Sequence, residues 1–123
     1  MNELDIKEIK GRIKSWILEI NDNDELPQGI IALNFGLFEP YGIELIGSES
    51  YDEEDDDWAC EEDFEPKTRS CSLPIPSKVE WEEVLGTIVL ILKELVQELK
   101  DIQLLNVKHI TTGFSDGDLM IIK

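Results

Sequence analysis

Residues 77–102, SKVEWEEVLGTIVLILKELVQELKDI, carry apolar side chains at helical spacing for several turns. Trp81, Leu85, Ile88, Leu92, Leu95, Leu99 and Ile102 advance by alternating steps of four and three. Val84, Val89, Ile91 and Val96 widen the stripe. A face this broad is suited to lie on a sheet, so the segment is read as the main core helix. Self-association through the same stripe, giving a homodimer, is the competing reading. Ser77-Lys78-Val79-Glu80 has the capping-box pattern, in which a hydroxyl and a carboxylate satisfy the first exposed amide donors, and so predicts the helix start.

The flanking segments supply the sheet. Gly29 to Phe38 is rich in strand formers and sets Ile31, Leu33, Phe35 and Leu37 on one face. Pro40 and Gly42 mark a turn before Ile43 to Ile46, which predicts an antiparallel hairpin. Ahead of it, Asn2 or Asp5 can cap a helix in which Ile6, Ile9, Ile13, Trp16, Ile17 and Ile20 share one face, ending near Asn21. At the other end, Val107 to Phe114 and Leu119 to Ile122 flank Ser115-Asp116-Gly117-Asp118, whose Asp-Gly pair favours a tight hairpin turn. Residues 49–76, interrupted by Pro66, Pro74 and Pro76, sustain neither period and are read as a long acidic loop. The expected fold is α+β in the order α-β-β-loop-α-β-β: an antiparallel sheet of about four strands with two helices packed on one face. At 123 residues, 1–123 is read as a single domain.

Charge is distributed unevenly. The chain has 28 acidic and 11 basic residues, a formal charge of -17, and the stretch from Ser15 to Pro66 holds 17 acids with no Lys or Arg. The remaining acids and bases balance, so one contiguous region carries the whole excess. Such a field opposes binding to phosphate backbones and suits a cationic partner, so nucleic acid is not expected as a partner. The start of the chain is acidic and amphipathic, and the longest apolar run, Val84 to Leu92, is far short of a membrane span. Both features point to a cytoplasmic protein with no membrane partner.

Catalytic chemistry finds little support in these residues. His109 is the only histidine and falls in an expected strand, and Ser70, Ser72, Cys60 and Cys71 lie in no nucleophile motif. Gly-rich phosphate loops are absent. Cys60 and Cys71 form no CxxC or metal-ligand spacing and are read as reduced thiols, with a bridge between them left open. An EF-hand register starting at Asp52 would use Glu54 and Asp56, but it meets Asp57 where glycine is needed and Asp63 where glutamate is needed. No cofactor or metal is expected, although a metal-binding protein or metal-dependent enzyme using the acidic loop as ligands is the alternative function. The carboxylates most exposed to this choice are Asp52, Glu53, Glu54, Asp55, Asp56, Asp57, Glu61, Glu62 and Asp63, interleaved with Tyr51, Trp58 and Phe64. Aromatic anchors among steering charges are typical of interfaces. Trp58 serves either as such an anchor or as an inward pin for its own loop.

Residues 51–66, YDEEDDDWACEEDFEP, preceded by NFGLFE at 34–39, look like a segment of small bacterial immunity proteins that accompany polymorphic toxins of the contact-dependent inhibition type. The resemblance lies in the Tyr-Asp start, the Asp-Asp-Trp-Ala-Cys centre and the Asp-Phe-Glu-Pro end, and it covers residues 34–66. It implies a noncatalytic cytosolic inhibitor that binds a basic toxin domain and occludes its active site. It carries over no catalytic residue, and the density of charge with interleaved aromatics makes residues 52–58 and 61–63 the expected partner-binding surface.

Overall fold

The computed structural model describes residues 5–114 and 117–123. Helix α1 spans Ile6–Asn23, followed by strands β1 (Ala32–Phe38) and β2 (Gly42–Ser48), a 3₁₀ turn at Asp56–Cys60, and β3 (Ser70–Ser72). Helix α2 (Trp81–Glu98), a short 3₁₀ turn at Gln103–Leu105, β4 (His109–Phe114) and β5 (Met120–Ile121) complete the chain.

The α1 reading holds closely. Asp5 caps it by accepting from the Glu8 amide, and Ile9, Ile13, Trp16, Ile17 and Ile20 are its buried face. Ile6 remains exposed, and the other candidate cap, Asn2, lies outside the described residues. In β1, Leu33, Phe35 and Leu37 join Ile43 and Leu45 of β2 and the buried faces of both helices in one cluster. The molecule is therefore two-layered, with the helices on one face of the sheet.

The start of α2 differs from the capping-box expectation. Glu80, not Ser77, occupies the cap position, and no side chain caps it. Val79 explains the delay: it is buried, its amide donates to the Pro76 carbonyl, and its carbonyl accepts the Tyr41 hydroxyl. Drawing Val79 into the core closes a turn that a helix from Ser77 would break. The helix also stops at Glu98, short of the expected Leu99 and Ile102, which pack partly buried against the core beyond its end.

The expected four-stranded antiparallel sheet is corrected to five strands of mixed direction, in the order β3-β2-β1-β4-β5. Strands β1 and β2 are antiparallel, as are β2 with β3 and β4 with β5, but β1 and β4 run parallel. One short element causes the change. Within the expected loop, Ser70–Ser72 pairs with the outer edge of β2 and carries the chain back to the Phe38 end of the sheet. Helix α2 then starts at that end and delivers β4 beside Ala32, pointing the same way as β1. Without β3 the helix would start at the opposite end and β4 would return antiparallel. The expected turn at 115–118 includes Ser115 and Asp116, which lie outside the described residues, while Gly117 donates to the Phe114 carbonyl.

Among the described residues, no helix is long and apolar enough to cross a membrane.

Candidate functional site

Register places Ala32, Asn34, Gly36, Glu44, Ile46, Ser48, His109, Thr111 and Gly113 on the sheet face away from the helices. The acidic segment folds over this face. Tyr51 stacks on His109, with ring centroids 3.8 Å apart and planes 5° from parallel, and Trp58 meets Tyr51 at 5.1 Å. Trp58 is 5% exposed, yet it stands apart from the helix-side core, as does Ile46. The Trp58 indole is therefore spent within its own domain, and the inward alternative describes its position. Further along, Phe64 and Gly47 exchange backbone hydrogen bonds of 2.9 and 3.0 Å, which ties the end of the segment to the edge of β2. A Cβ at Gly47 would lie 3.1 Å from that of Phe64 and 3.0 Å from an Ile30 methyl, so this close approach favours glycine.

On this aromatic base the carboxylates point outward. Asp52, Glu53, Glu54, Asp55, Asp57, Glu61, Glu62 and Asp63 are exposed, and the side chain of Asp56 lies outside what is described. Several shape the backbone that carries them. Asp52 accepts from the Glu54 amide at 2.9 Å, and Asp55 caps the 3₁₀ turn by accepting from the Asp57 amide at 3.0 Å. Glu61 accepts from the Ser50 hydroxyl at 2.7 Å and Asp63 from the Glu49 amide at 2.9 Å. These bonds fix the geometry without neutralising charge. Among the described residues, ion pairs within 49–66 involve only Glu62 and Glu65, both to Arg69.

Arg69 is a site residue that sequence reasoning missed. Its guanidinium pairs with Glu62, with Glu65 at 3.3 Å and with Glu44 of β2 at 3.5 Å. The hydrogen bond it donates to Glu62 is the largest influence holding it charged, against the opposing effect of partial burial, with Glu65 and Glu44 adding to it. The only sequence hint was its place just after the cation-free stretch. Glu44 carried no hint until register put it on the same face as the loop.

Beside this cluster lies a cleft of about 270 Å³ between the 3₁₀ turn and the β4–β5 hairpin. Gly36 and Gly113 are cross-strand neighbours lining it; Gly36 leaves its floor without a side chain, and Gly113 lies close under the Asp118 carbonyl. Cys60 is on its rim. Cys71, by contrast, pairs with Ile43 and packs against the helix-side core. The two free thiols thus sit on opposite faces of the sheet, which settles the open question of a bridge between them in this fold. Among the described residues, no group of three or more His, Cys, Asp and Glu side chains is placed to hold a metal ion. Compared with known protein families, curated proteins and solved structures, the chain matches none.

Proposed function

We propose that this chain is a noncatalytic acidic binding protein that neutralises a cationic protein partner, as the toxin-immunity proteins it resembles do in the bacterial cytoplasm. It presents carboxylates where a basic active site receives phosphates. One observation carries the reading: the exposed acids from Asp52 to Asp63 are mounted on a backbone pinned from beneath by buried Trp58. A charged coat serving solubility alone needs no such support. A pre-ordered array, by contrast, loses less entropy when a partner docks. Complementary fields raise association from roughly 10⁵–10⁶ to about 10⁸–10⁹ M⁻¹s⁻¹ at low salt.

Co-expression with the product of the neighbouring reading frame tests inhibition directly, and rescue from growth arrest is the expected result. With that product purified, replacing Asp55, Asp56 and Asp57 by Asn slows association about tenfold or more at low salt, and the gap closes as salt is raised. Equal on-rates for the triple variant and the wild type at low salt would remove this surface from the reading.

A further inference from the structure

The cleft beside Arg69 has a chemistry that the outward carboxylates lack. Gly36 of β1 leaves its floor without a side chain, while the neighbouring Gly113 of β4 is packed under the Asp118 and Leu119 backbone that walls the cleft. Ile46 and Leu119 add apolar surface, and the polar end is formed by Glu44, Glu62 and Arg69. Its volume equals that of about nine liquid waters, enough for one long side chain but small for a folded segment.

Charge at the polar end is unbalanced. Three carboxylates, from Glu44, Glu62 and Glu65, surround the single guanidinium of Arg69, leaving an excess of two negative charges. Arg69 is already engaged and does not call for an anion. The carboxylates are each 39–55% exposed, so they retain lone pairs toward solvent for another donor. They also already hold a guanidinium, the group whose planar fork suits carboxylates.

We infer that this cleft is the pocket for an arginine side chain of the partner, its methylenes lying between Gly36, Ile46 and Leu119 and its guanidinium joining Arg69 among Glu44 and Glu62. The inference rests on the binding function proposed above and names the contact that adds short-range specificity to long-range steering. Glycine at position 36 is what keeps the floor open. A Cβ there would meet only the flexible Glu44 side chain, at 3.3 Å, whereas one at Gly113 would press on the Asp118 carbonyl at 2.9 Å. Gly36→Val is therefore the informative block, and Gly113 is left intact.

The probe is N-acetyl-arginine methylamide, titrated into the ¹⁵N-labelled full chain. The expected result is saturable amide shifts at Gly36, Glu44, Cys60 and Gly113, with the uncharged N-acetyl-norleucine methylamide at least tenfold weaker. Gly36→Val abolishes the shifts. Glu62→Gln weakens them severalfold and tests the same contact with the strand intact, so the result does not depend on the valine variant folding. Equal binding of the two probes, shifts confined to 51–61, or undiminished binding by either variant would overturn the assignment. The two readings fail separately. Should the probe ignore the cleft while Asp55, Asp56 and Asp57 replacement still slows the purified partner, only the arginine pocket is lost. Should the probe fill the cleft while that replacement has no effect, the pocket stands and the loop surface is lost.

Discussion

Replacing Trp58 by Ala asks whether the aromatic base holds the acidic segment in place. A tryptophan side chain buries roughly 150–250 Å². At about 25 cal/mol per Å² that area is worth roughly 4–6 kcal/mol. Residual burial in the unfolded chain removes about 10–40% of this, leaving roughly 2–5 kcal/mol, which overlaps the usual range for tryptophan-to-alanine changes. The location of the ring decides how the loss is expressed. Trp58 stands outside the cluster formed by the helices and the inner sheet face, so the segment can detach while that core persists. Amide hydrogen exchange read by NMR should therefore show protection falling sharply between Tyr51 and Glu61, while Ile13, Ile17, Ile88 and Leu92 keep most of theirs. Urea unfolding followed by far-UV circular dichroism sets the global loss, at most about 5 kcal/mol on the same area argument. A loss below about 1 kcal/mol with unchanged exchange in the segment would refute the reasoning, since a ring supporting this loop cannot be removed without effect.

Arg69→Met leaves Glu44, Glu62 and Glu65 facing one another without their shared cation. With partly exposed pairs each worth about 0.2–1 kcal/mol, a total loss of about 1–2 kcal/mol is expected in urea unfolding at low salt, shrinking toward zero near 1 M NaCl; an equal loss at both salts would contradict an electrostatic origin. Tyr41→Phe deprives the Val79 carbonyl of its hydroxyl donor and should cost about 1–3 kcal/mol at neutral pH. Burial first, and then Glu39, Glu80 and Glu82, raise the Tyr41 pKa above its ordinary value near 10. Because the folded value lies above the unfolded one, this stability is fully present below pH 10 and is lost as pH rises through the folded value. Urea midpoints from pH 8 to 11 should fall more steeply for wild type than for Tyr41→Phe, and parallel curves would show that Tyr41 does not drive the alkaline loss.

The long-range organisation was legible wherever a period could run. Ile9 to Ile20 and Val84 to Leu95 declare helices because buried side chains recur each turn, and Leu33, Phe35 and Leu37 declare a strand because alternate residues face one layer. Ser70–Ser72 declares nothing. Three small residues at a sheet edge bury little, and their pairing is made by backbone groups whose preference no side chain encodes. That silent strand is what turned β4 parallel to β1. The candidate site divides in the same way. Carboxylate density between Asp52 and Asp63 is a property of the chain, whereas the direction of Trp58 depends on what lies beneath it.

Local pattern thus determined the two-helix α+β class, the β1–β2 hairpin and the position of the charge excess, because each arises from residues near one another in sequence. Tertiary structure alone decided the strand parity, the burial of Trp58 over the open sheet face, the gathering of Glu44 and Glu62 around Arg69, and the pairing of Gly36 with Gly113 beside the cleft. These come from contacts between distant segments, and a one-residue slip of β2 alone would send Glu44 to the other face of the sheet, away from Arg69.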